Sequence, residues 1–128
     1  MLAYDFSVYD LHPMYLSHIK RNRYLLASWE ASYAGAHWLE VLIEEGKATQ
    51  LRSDGFPNIY QSTAGIVLPL LLEKQIRPKR EIASDTGEEP DLRYSQPWGW
   101  MQEIKLFPER VAACVESSAV TIVAWDQS

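Results

Sequence analysis

The stretch from Trp29 to Gly46, WEASYAGAHWLEVLIEEG, constrains the fold of this chain more than any other. Ala31, Ala34/Gly35, Trp38 and Val41/Leu42 recur at three- and four-residue steps, the spacing that lines side chains along one face of an α-helix. Ser28 reads as the N-cap, with Glu30 in the first turn at the positive end of the helix dipole. Gly46 follows the last periodic residues and can take the left-handed conformation that closes a helix. The small residues on this face admit a close neighbour, and Trp38 is the large packing unit. A helix over this stretch is the expected centre of the fold.

The chain opens with a strand pattern. Leu2, Tyr4, Phe6 and Val8 alternate with Ala3, Asp5, Ser7 and Tyr9, the period of a half-buried strand. Pro13 can start a helix through Met14, Tyr15 and Ile19, and a break is expected near Asn22 or Ser28, because one helix from Pro13 to Glu45 would be too long. Lys47 to Arg52 suits a brief strand, and Ser53 to Asn58 is dense in turn formers. Ser62 to Gln75 reads as a second helix capped by Ser62 or Thr63, with Leu68, Leu71 and Leu72 inward and Pro69 as a kink. The acids from Glu81 to Asp91 sit with Gly87 and Pro90 in an exposed loop over 81–93, followed by an aromatic turn from Tyr94 to Trp100. Glu103 to Phe107 suits a strand. Pro108 to Ser117 suits a helix with Val111, Ala112 and Val115 inward, and Ala119 to Trp125, rich in β-branched residues, a final strand. Helices and strands mix without regular alternation, so the expected class is α+β, a small mostly antiparallel sheet against two or three helices in a single domain.

Composition narrows the function classes. The 128 residues are 47% apolar and 23% charged, enough for one well-formed core. A net charge of −5 argues against a nucleic-acid binder and suits a basic protein partner. The block Lys20, Arg21 and Arg23 beside Tyr24 is read as a solvated face rather than a phosphate grip. The single cysteine, Cys114, rules out an internal disulfide, and the acidic start MLAYDFSVYD lacks the basic and apolar regions of a secretory leader, so a cytoplasmic location is expected. The longest apolar run, Gly65 to Leu72, falls well short of the roughly 20 residues that span a bilayer. No membrane partner is expected.

Catalytic signals are sparse. The sequence has no nucleophile elbow, Walker loop or Cys-x-x-Cys pair. His37 and Glu40, three apart, could act as a general base with its orienter, with Glu44 a turn further on. A solvated polar face explains the same spacing, and no second His–carboxylate pair completes a metal site. Neither a metal nor a cofactor is expected. His12 and His18 flank the Pro13 turn and read as surface histidines, and Cys114 reads as a small buried hydrophobe.

Two features exceed what packing needs. The chain carries five tryptophans and seven tyrosines, and Trp98 and Trp100 flank a glycine in a turn. Exposed rings supply contact energy and neighbouring carboxylates steer a basic partner, so Glu81, Asp85, Glu88, Glu89, Asp91, Trp98 and Trp100 form the expected partner-binding set. With these acids and aromatics, a small acidic α+β chain resembles the immunity proteins of bacterial toxin systems. That resemblance implies non-enzymatic inhibition of a cognate toxin domain, often a basic nuclease, by surface complementarity. The alternatives are a small hydrolase or ligand-binding enzyme using His37 and Glu40, and a sugar-binding module with Trp98 and Trp100 as its platform.

Overall fold

A computed structural model of the chain describes residues 3–17, 21–73, 75–76 and 100–127. Among these residues the framework is a six-stranded antiparallel sheet formed by β1 (Ala3–Tyr9), β2 (Leu25–Ser32), β3 (Thr49–Arg52), β4 (Asn58–Thr63), β5 (Lys105–Leu106) and β6 (Ala119–Asp126). The order across the sheet is β3-β4-β6-β1-β2-β5. Among the described residues three α-helices accompany it: α1 (His37–Glu44), α2 (Ala64–Leu72) and α3 (Pro108–Ala112). The fold is α+β, as the mixed pattern of elements predicts. Among the described residues no helix is long and apolar enough to cross a membrane.

The alternating start and the β-branched end become β1 and β6, which pair at the middle of the sheet. Residues opposite one another share a face. One face carries Phe6 and Val8, Ala27 and Trp29, Tyr60, and Ile122 and Ala124, all nearly or fully buried. Helices α1 and α2 add Trp38, Leu39, Leu42, Val67, Leu68 and Leu71 to the same core.

The expected helix from Trp29 is only half right. Leu25–Ser32 is a strand, and its Ala27, Trp29 and Ala31 point inward while Ser28 and Glu30 lie on the other face. Ser28 therefore caps nothing. A 3₁₀ turn over Tyr33–Ala36 converts the strand into α1, which spans only eight residues. The stop at Gly46 is as expected: its φ is +73°, Gly46 N–H donates to the Ile43 carbonyl at 3.1 Å, and Lys47 N–H donates to Leu42 at 2.8 Å. Those two bonds are the glycine-closed helix end in full.

Of the expected helix over Pro13 to Ile19, the described residues hold only a 3₁₀ turn, Pro13–Tyr15, whose Met14 N–H donates to His12 Nδ1 at 3.1 Å, and Ile19 lies outside them. Strand β4 takes Ser62 and Thr63 from the expected second helix: Ser62 donates its hydroxyl to the Lys47 carbonyl at 2.8 Å, and Thr63 holds the N-cap position, as expected, without a side-chain cap bond. The first donors of α2 find backbone instead: Ala64 N–H reaches Ser118 and Gly65 N–H reaches Glu116, both at 2.9 Å. Leu72, expected inward, is 57% exposed. Pro108 opens α3 as expected, but that helix stops at Ala112; Ala112 is exposed and Val115 is 63% exposed.

The bond from Gly65 to Glu116 makes a prediction. A Cβ at Gly65 would sit 3.1 Å from both the Cβ and the carbonyl oxygen of Glu116. Alanine gains about 1 kcal/mol in helix propensity, whereas crowding a packed contact costs about 1–3 kcal/mol. Gly65→Ala is expected to lose about 1 kcal/mol net in urea titration. A gain in stability would mean that the 116–118 turn yields freely.

Candidate functional site

A cleft of about 540 Å³ lies between α1 and α2, beside the expected enzyme pair. His37, Val41, Glu45, Lys47, Ile66 and Leu70 line it, with Lys47 paired to Glu45 at 2.9 Å. His37 Nδ1 stands 3.7 Å from Glu40, but Glu40 does not line the cleft and its side chain is 71% exposed. Cleft and pair thus share only His37. Among the described residues no three His, Cys, Asp or Glu side chains cluster as a metal site.

No activated nucleophile appears among the described residues. Burial above all, then Asp10, pushes the Cys114 thiol up to about 11, and its Sγ donates to the Arg110 carbonyl at 3.3 Å. Arg110 does not activate that thiol. Its guanidinium donates to the carbonyls of Asn22 and Leu25, both at 3.0 Å, and lies 4.4 Å from the centre of the Phe107 ring. Burial, then Tyr4 and Glu40, pushes the Tyr60 phenol up to about 12. Burial followed by Asp126 likewise raises Tyr4, against an opposing hydrogen bond from Asn58.

A different constellation forms where the 53–57 turn meets the end of β6. Gly55, at φ +85°, donates its N–H to Asn58 Oδ1 at 2.9 Å, and its carbonyl accepts from Asp126 N–H at 2.8 Å. The Tyr33 hydroxyl donates to Asp126 Oδ1, and Phe56 N–H donates to Asp54 Oδ1 at 2.9 Å. This bracing holds two large rings at the surface: Phe56 is 55% exposed and Trp125 is 42% exposed.

Register then places two carboxylates beside Trp125. Asp5 on β1 is opposite Trp125 on β6 and opposite Glu30 on β2, so Trp125, Asp5 and Glu30 form one row on the face away from α1 and α2. The neighbouring row holds Ile59, Val123, Ser7, Ser28 and Lys105. Asp5 and Glu30 are half-buried, and no ion pair joins either to a described residue. Two like charges directly opposite on central strands work against the sheet.

Burial also pushes the Asp5 carboxyl above its ordinary value of 3.8. A carboxyl raised on folding holds its proton more tightly in the native chain, so its ionisation opposes the fold. That penalty is absent below 3.8 and develops as pH rises through the raised native value. Asp5→Asn is expected to raise the midpoint of thermal unfolding at neutral pH and to leave it unchanged in acid well below 3.8. An equal shift at both pH values would contradict this account.

Of the expected partner-binding set, Glu81, Asp85, Glu88, Glu89, Asp91 and Trp98 lie outside the described residues, as does the 81–93 loop. Trp100 is half-buried; its carbonyl accepts from Ser32 N–H at 3.0 Å, two residues along β2 from Glu30. Trp125, Phe56, Asp5 and Glu30 were missed by sequence reasoning. The clue available for Phe56 was its place among turn formers, where a large apolar ring has no core to enter.

In comparisons with known proteins, no family model matches this chain, and no curated protein and no solved structure matches it either.

Proposed function

We propose that this chain is a non-enzymatic protein-binding inhibitor, in its most concrete form an immunity protein that occupies and neutralises a basic bacterial toxin domain. The observation that carries this reading is the Trp125–Asp5–Glu30 row, an exposed ring beside two carboxylates without a cation among the described residues. Exposed aromatics anchor interfaces, and unpaired acids accelerate encounter with a basic surface. The net charge of −5 acts in the same direction. The acids of 81–93 and Trp98 and Trp100, expected from sequence to bind the partner, belong to the same proposal.

The test is capture of the partner by the tagged chain from its native lysate at low and moderate salt, followed by an assay of the captured protein's toxic activity. The expected result is one basic protein in near-equal amount, held less well as salt rises, whose activity falls when the chain is added stoichiometrically. No retained protein at either salt, or a retained protein whose activity the chain leaves intact, would defeat the inhibitor reading.

A further inference from the structure

We propose that the Trp125–Asp5–Glu30 row receives one arginine side chain of the protein partner, the guanidinium seated over Asp5 with the Glu30 carboxylate on one side and the indole on the other. This rests on the protein-binding reading above and names the partner chemistry at the same surface.

The row has three contributions on adjacent strands, Trp125 from β6, Asp5 from β1 and Glu30 from β2, each directly opposite the next. Opposite side chains in an antiparallel sheet have Cβ atoms about 4.5–5.5 Å apart, so a cation seated over Asp5 is within reach of the longer Glu30 and Trp125 side chains on either side. Asp5 and Glu30 face each other across the strands with no described cation between them. A positive group placed there turns their repulsion into two attractions, which is the charge complementarity that selects a cationic occupant.

Guanidinium fits this arrangement better than ammonium. It is planar, presents N–H groups on several edges and accepts a ring against its face, so two carboxylates and an indole are satisfied together. Arginine is also less strongly hydrated than lysine, which favours it beside the half-buried Asp5. The aliphatic stem would follow the half-buried Ile59 at the near end of the adjacent row, while the Ser7 and Ser28 hydroxyls there can accept further N–H groups.

The experiment is a two-dimensional NMR titration of the full chain with an arginine-rich peptide and with a lysine-rich peptide of equal length and charge. Trp125→Phe assigns the indole signal. The expected result is saturable movement of the Trp125 indole and of the Asp5 and Glu30 amides, with the arginine peptide bound about tenfold more tightly than the lysine peptide. Asp5→Asn with Glu30→Gln should remove that preference, and the variant's own spectrum reports whether it is folded. The Asp5 side-chain carboxyl should also titrate at lower pH when the arginine peptide is bound. Equal response to both peptides, shifts spread over acids elsewhere, or a preference that survives the double variant would each overturn the arginine assignment. If the captured partner still requires Trp125 in that event, the protein-binding reading stands and only the arginine assignment falls.

Discussion

Replacing Phe6 with alanine is expected to remove about 3–5 kcal/mol of stability, the range for emptying an aromatic site in a packed core. Phe6 is fully buried on β1, with β6 on one side and β2 on the other. Its ring stacks on Trp29 at 5.1 Å and 14°, and meets Tyr4 edge-on at 5.7 Å and 66°. Such pairs contribute about 0.5–1.5 kcal/mol beyond the area they bury. Trp29 in turn touches Trp38 of α1 at 6.2 Å, so the cavity would open where the helix layer meets the sheet. A domain of this size has only about 5–15 kcal/mol in hand, and the variant would be near its folding limit. Urea titration with an unchanged slope measures the loss. A loss under about 1 kcal/mol would mean that the site refills and that these rings do not hold the two layers together.

Truncating Trp125 to alanine is expected to act on binding and not on folding. At 42% exposure the ring is large, accessible and fixed at the strand end by the bonds through Asp126 and Gly55. An aromatic anchor at the centre of an interface contributes about 2 kcal/mol or more, which is a loss of about thirtyfold in affinity. Calorimetry with the captured partner reads that loss, and thermal unfolding of the free chain reads stability. An unchanged affinity would remove Trp125 from the interface. A collapse of the melting temperature alone would make the ring a packing residue.

The strand ends of the chain were legible because their patterns have one solution. Alternation over Ala3–Tyr9 and β-branched density over Ala119–Asp126 suit a strand and little else, and Gly46 and Pro108 act through backbone geometry that no neighbour can override. Trp29 to Ser32 was not legible. Ala27, Trp29 and Ala31 alternate at period two, while Ala31, Ala34 and Trp38 also satisfy period three to four, and only pairing with β1 decides between them. Strand β4 hid because its inward residues include Asn58 and Ser62, polar groups satisfied by Gly55 and the Lys47 carbonyl. The site was harder still. Asp5 and Glu30 lie 25 positions apart in sequence and meet only through register, which local pattern does not contain. Trp98 and Trp100 stand out because glycine and proline surround them, whereas Trp125 closes a run rich in β-branched residues that reads only as a strand.

Two neutralised pairs that change net charge equally separate the row from the overall charge of the chain. Asp5→Asn with Glu30→Gln alters the row, while Glu44→Gln with Glu109→Gln removes two exposed acids on α1 and α3. Affinity for the captured partner, measured for both at the same salt, should fall about tenfold or more for the row and hardly at all for the helix pair. Equal losses would show that only overall charge matters, and an unaffected row would place the interface elsewhere.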